Sequence, residues 1–292
     1  MSVYDINLSS SLLAGPTDLS VIVPEANLGE SPKAFYTSGK QYKVLWLLHA
    51  GGGDRHNWLH SVNVSRYVHG REVIVVMPNA LNSDFANHPQ FADGYNFSDF
   101  FFNELMPFIH NWFPASDAPQ DNFIAGFSMG AAAAWMYGLY QPEKFGGVAP
   151  IASPPKNYTF LEPFRDMPGS EFRAKALADN QAFPTAYGDP KSGIKIKEIN
   201  MVAKYASVGA FLDSYEHTWD RFREVAAAGR LPKIYLPCGT EDGMYSKVLQ
   251  FKHYADALDA TGIDYDFIPE GGGGFEFCDY ILPKILDFFG IR

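Results

Sequence analysis

The 292-residue chain predicts an α/β fold built on a mostly parallel central sheet flanked by helices. Three observations carry that expectation. The strand-like segments are nearly continuous apolar runs, as expected of strands covered on both faces. They alternate with segments whose apolar residues recur at helical spacing. Between the apolar run 122–125 and the alanine-rich run 131–140 stands Gly126-Phe127-Ser128-Met129-Gly130, a G-x-S-x-G turn in which a buried strand stops and a helix starts around one raised hydroxyl.

Taken in order, residues 4–8 and 19–23 alternate weakly and predict two antiparallel strands at a sheet edge, the second ending at Pro24. The run 42–48 is almost wholly apolar and ends in His49-Ala50-Gly51-Gly52-Gly53-Asp54. A short helix is expected over 57–68, a strand over 72–77, and a loop rich in Asn, Asp, Gly and Pro over 84–96. Phe101, Leu105, Phe108, Ile109 and Trp112 mark a helix over 97–112. After the serine turn and its helix, 147–152 reads as a further strand.

Residues 153–230 then break the alternation with six prolines and helical patches near 172–178, 194–206 and 211–228. An insertion of this size between the sixth and seventh core strands is expected to cap the strand ends, where binding surfaces sit. The core pattern resumes with strands over 233–239 and 265–268 and a last helix over 275–289. The chain is read as one domain, 1–292, containing that insertion.

Composition narrows the function. A hydrophobic content of 47% with 15% aromatics supplies a large core and excludes disorder. The net charge of −10 argues against nucleic-acid and anionic-membrane partners, which need clustered Lys and Arg. No basic segment leads into an apolar one at the N-terminus, and no run reaches the roughly 18 apolar residues of a membrane helix. Cys238 and Cys278 are too few for a disulfide framework or a cysteine zinc site, and are expected as reduced thiols of a cytoplasmic protein. A homo-oligomer stays open.

A serine hydroxyl needs a base to take its proton, a third group to orient that base, and donors for the oxyanion formed on attack. Ser128 is the candidate nucleophile. Asp242, a short turn after the strand 233–239, is the candidate acid, with Glu241 its close competitor. The oxyanion donors are expected to be the N–H of Met129 and that of Gly51 in the glycine loop. A phosphate-binding loop would need Gly-Lys-Ser or Gly-Lys-Thr where this one runs Gly-Gly-Asp-Arg. His49 is expected to buttress the glycine loop rather than act as base. No metal or organic cofactor is implied.

Five ordered blocks carry a resemblance: 47–54, Gly94-Tyr95-Asn96, 126–130, Cys238-Gly239-Thr240-Glu241-Asp242 and Phe275-Glu276-Phe277. Together they resemble the esterase D branch of the α/β-hydrolases, which includes tributyrin-type, acetyl and feruloyl esterases. The likeness runs from about residue 42 onward and is weakest in the insertion. It implies an α/β-hydrolase fold and hydrolysis of short-chain or aromatic carboxylic esters through an acyl-enzyme, with a small-molecule ester as partner. It also implies a general-base histidine where this chain has Gly273, within Gly271-Gly272-Gly273-Gly274.

Loss of the base from such a triad costs on the order of a million-fold in turnover, about 8 kcal/mol of barrier. The chain is therefore expected to be a very slow esterase. The alternatives are a non-catalytic binding protein on the same scaffold and an acyltransferase. His49, His56, His60, His88 and His253 lack the position a replacement base requires. His49, Gly52, Tyr95, Tyr158 and Phe160 are expected to line the substrate pocket.

Overall fold

The computed structural model describes residues 1–91, 93–183, 193–239, 259, 264–268 and 275–292. Among the described residues, eight strands form one sheet in the order β1-β2-β4-β3-β5-β6-β7-β8. They are β1 (Ser2–Ser10), β2 (Gly15–Val23), β3 (Lys43–Leu48), β4 (Val73–Pro78), β5 (Asn122–Phe127), β6 (Gly147–Ile151), β7 (Lys233–Gly239) and β8 (Asp264–Ile268). The first two pair antiparallel at one edge, β2 joins β4 antiparallel, and every later pairing is parallel. This is the mostly parallel sheet of the α/β-hydrolase fold, with helices on its flanks.

The continuous apolar runs have the expected cause: β4 and β6 are buried at every residue, and β3 and β5 at all but one. Parallel strands need crossovers, and the helices that supply them cover both faces. At the start of β5, Asn122 is fully buried and fully paired. Its Oδ1 accepts from the Trp46 indole at 3.1 Å, and its Nδ2 donates to the carbonyls of Ser116 and Ala118. Cys238 and Cys278 are buried thiols, not joined to each other.

Several helices differ from expectation for local reasons. The helix expected over 57–68 is two, Asn57–His60 and Val64–Val68, because Asn63 between them adopts φ 49°, outside the helical region. The helix over 97–112 contains a π turn, Phe101–Leu105, where the Met106 N–H reaches back to the Phe101 carbonyl. Pro107 follows at once; its ring would crowd the preceding turn of a regular helix, and the wider turn relieves that. A short helix Pro32–Tyr36 was not anticipated, although Ser31 caps it and Pro32 opens it in the manner of a helix start.

Between β6 and β7, the insertion holds the helices Gly169–Ala178, Ile196–Ala203, Val208–Leu212 and Thr218–Ala227. The last two divide the single helical patch expected over 211–228. Phe172, Phe183, Ile199, Val202 and Phe211 form an apolar cluster separate from the main core. Thr218–Ala227 anchors the segment to the sheet layer: Phe222 meets Trp135 edge-on at 5.6 Å between ring centroids.

Candidate active site

At the end of β5 the chain turns sharply. Ser128 has φ 57° and ψ −111°, and the helix Met129–Tyr140 begins at the next residue. Such a backbone costs about 1–3 kcal/mol for a residue with a side chain and persists only where its surroundings over-determine it. The two flanking glycines do this by close approach. A Cβ on Gly126 would lie 2.3 Å from the Gly130 carbonyl carbon, and one on Gly130 would lie 2.3 Å from the Leu48 carbonyl oxygen. Neither glycine has a positive φ, so backbone contact alone demands them.

The helix lays its first turn beside Ser128. Met129 has no intrahelical acceptor for its N–H, and the positive end of the helix dipole falls on the serine. Across from it runs the glycine loop after β3. A Cβ on Gly51 would lie 3.9 Å from the Met129 Cβ and 4.0 Å from Lys197 Nζ, which puts these groups around one point. The Gly52 N–H donates to Asn82 Oδ1 at 2.6 Å and the Gly53 N–H to the Ala50 carbonyl at 3.1 Å. The Gly51 N–H has no acceptor among the described residues.

Under this loop lies His49, fully buried. Its Nε2 accepts from the Ala80 N–H at 2.9 Å, which places the ring proton on Nδ1, 2.8 Å from the Ala50 carbonyl. Burial holds the imidazole below its usual pKa, so the ring stays neutral. Both nitrogens being occupied, His49 is a strut for the loop and has no lone pair to offer Ser128.

Ser128 borders two cavities. The smaller, about 100 Å³, runs under the insertion past Met129, Met136, Tyr158 and Met201 to Glu216. The larger, about 870 Å³, opens past Gly51, Asn82, His88 and Tyr95. Lys197 and Asp84 stand between them as an ion pair at 2.8 Å and line both. Ten described residues of the insertion thus share a wall with the serine. Glu216 is deeply buried, with Lys204 Nζ 2.6 Å from its Oε1. Burial pushes the Glu216 carboxyl above its ordinary range, against the pull of Lys204.

Of the residues expected at the site, Ser128, Met129 and Gly51 come together. Tyr158 and Tyr95 line the smaller and larger cavity respectively. Three residues expected in the pocket border neither cavity. His49 sits behind the loop, held there by its two backbone bonds. Gly52 lines neither cavity, since its N–H is turned to Asn82. Phe160 packs instead against the insertion's apolar cluster. Asp242, Gly273, Glu241 and His253 lie outside the described residues.

Among the other histidines, His56 stacks on His60 at 5.2 Å and lies near Asp54 and Asp5. His88 shares the larger cavity with Ser128, and burial lowers its pKa. Sequence reasoning missed Asn82, Asp84, Lys197, Lys204 and Glu216. None belongs to a motif, and they meet only once the insertion folds over the strand ends.

Comparison with known proteins bears on the family and the fold. The Esterase family model matches residues 30–261. An acetyl esterase of Caldicellulosiruptor saccharolyticus is 24% identical over 291 residues, covering 99% of this chain and 98% of that protein. In structure the chain is similar to the fluorophosphonate-binding serine hydrolase F of Staphylococcus aureus, with TM-score 0.71 and 22% identity over 100% of this chain and 99% of that one. It is also similar to an S-formylglutathione hydrolase of Staphylococcus aureus, with TM-score 0.68 and 23% identity over 99% and 98% of the two chains. These two likenesses establish the fold.

Proposed function

This chain belongs to the Esterase family, and on that premise we propose that it is a serine esterase acting through an acyl-enzyme on Ser128. The observation that carries the reading is the backbone of Ser128, held at φ 57° and ψ −111° where β5 meets its helix. Strain of this kind at a lone hydroxyl in a cleft is what a raised nucleophile requires.

In this mechanism Ser128 Oγ attacks the acyl carbon of an ester. The negative charge that develops on the carbonyl oxygen is taken up by the N–H groups of Gly51 and Met129, which no protein acceptor among the described residues competes for. Donors fixed before reaction need no reorganisation, and removing one costs about a hundred- to a thousand-fold in such sites. The alcohol leaves, and water releases the acid. The insertion 153–230 serves as a cap whose inner face forms the acyl side of the cleft.

Deprotonation of Ser128 is the weak step. Asp242 would orient a base at position 273, and the chain carries glycine there. The esterase is accordingly slow, and restoring the imidazole should release it. Turnover of p-nitrophenyl acetate by Gly273→His is expected to exceed that of the unaltered chain by at least a thousand-fold. An unchanged rate would show that position 273 does not face Ser128 and would remove the triad reading.

A further inference from the structure

The outer edge of the sheet is left in a state that natural sheets avoid. β1 ends the strand order, so its one neighbour among the described residues is β2. Its nine residues pair one to one, from Ser2 opposite Val23 to Ser10 opposite Gly15, with no bulge between. Edge strands are usually blunted by short length, a proline, a lysine, a bulge or a covering segment. β1 has none of the first four, and no described backbone pairs with its free side. Its single charge, Asp5, is engaged from within, by the Ser20 hydroxyl and by Arg55 Nε at 3.4 Å.

The hairpin is also longer than the sheet requires. β2 is joined to β4 at four positions, from Leu19 to Ile22, whereas β1 is joined to β2 at nine. A two-stranded ribbon reaching beyond its sheet is marginal by itself, and a third strand secures it. Apolar surface gathers at the same place. Val3 and Tyr4 are 46% and 48% exposed, and Tyr4 shares a groove of about 530 Å³ with Tyr36 and Trp112, 67% and 78% exposed.

We infer that two copies of the chain join at this edge, β1 against β1 about a two-fold axis normal to the sheet, so that one sheet runs through both. The strand's own sequence selects a second copy as the occupant. Antiparallel pairing about such an axis sets each residue opposite one that points to the same face. The register that pairs all nine residues is centred on Ile6. There Ile6 meets its own copy, Tyr4 meets the other copy's Leu8, Asp5 meets the other copy's Asn7 and Val3 meets the other copy's Ser9. Apolar side chains face each other on one side of the sheet, and on the other the carboxylate faces an amide. Centring on Asp5 instead would set two carboxylates opposite each other, and centring on either Asp5 or Asn7 would leave two residues of each strand unpaired. An unrelated strand would have main-chain bonds alone to hold it.

Sedimentation velocity of the unaltered chain at micromolar concentrations should show a species of twice 32.5 kDa. Val3→Lys with Ser9→Lys, both at exposed positions, sets lysine opposite lysine twice in the Ile6 register. The dimer Kd should rise about ten-fold or more, with the far-ultraviolet circular dichroism unchanged. Cross-linking reads the register by itself, should the double variant not fold. Under mild oxidant, a mixture of Val3→Cys and Ser9→Cys chains should form the mixed disulfide about ten-fold faster or more than either chain links to itself, Cys238 and Cys278 being buried. A mass of 32.5 kDa at every concentration overturns the inference. So does a dimer whose Kd the two lysines leave unchanged, or a mixture that cross-links no faster than its components.

Discussion

The serine turn and the insertion that faces it are built on opposite plans. Around Ser128 the backbone packs against backbone, the neighbouring strands are buried at nearly every residue, and polar side chains such as His49 and Asn122 have every hydrogen-bonding group engaged. Across the cleft, the insertion has an apolar cluster of its own and brings charged groups inside; Glu216 Oε2 and His217 Nε2 are unpaired among the described residues, as are Asn57 Oδ1, His88 Nδ1 and Glu104 Oε2 outside it. The first plan suits a group that must be held in one geometry. The second suits a surface that must be completed by something else.

The largest effect expected on this contrast comes from the serine. In the Gly273→His background, Ser128→Ala should lower p-nitrophenyl acetate turnover by about 10⁴- to 10⁶-fold. The urea midpoint should stay where it was, since no packing atom near the backbone changes. A parallel fall in stability would mean that the hydroxyl is structural and that the two sides of the cleft are less distinct than described.

Next comes the packing of the turn. Gly130→Val should cost about 3 kcal/mol or more, because the Leu48 carbonyl it would strike is part of β3 and cannot swing aside. Phe172→Ala in the insertion should cost about 3–5 kcal/mol locally. Hydrogen exchange distinguishes the two regions: amides of Ile196–Ala203 and Val208–Leu212 should lose protection while those of β3 and β5 keep theirs. Equal loss in both would merge the insertion with the main core. Asn122→Leu, smaller, should remove about 1–3 kcal/mol by stranding the Trp46 indole, read as a shift in the urea midpoint.

The mildest expectation concerns pH. Burial depresses the pKa of His49 in the scaffold and of His217 in the insertion. The unfolded chain therefore takes up protons that the folded chain refuses, so this stability is complete above about pH 6.5 and is lost as pH falls. Glu216 acts the other way: its raised carboxyl contributes stability below the ordinary carboxylate range, lost as pH rises. Raising the pH from 5 to 7 should strengthen exchange protection more in the scaffold than in the insertion. Glu216→Gln should bring the two trends closer.

What the chain disclosed in advance divides along the same line. Strands β3, β4, β5 and β6 and the serine turn were legible because each rests on local necessity: continuous burial, a turn that only glycine can make, a helix that starts at once. The break at Asn63 and the π turn before Pro107 escaped a periodicity argument because one residue's backbone decided each of them. Asn82, Asp84, Lys197 and Glu216 escaped for a different reason. They are ordinary polar residues from distant segments, and nothing in their sequence neighbourhoods records that the fold will gather them.

The contacts that hold Ser128 in its unusual conformation are made by main-chain atoms of Gly126, Gly130 and Leu48, none of which takes part in proton transfer. The raised hydroxyl is thus a feature of shape, inherited whether or not a base stands opposite it. A lineage could lose and regain its imidazole many times without rebuilding this corner.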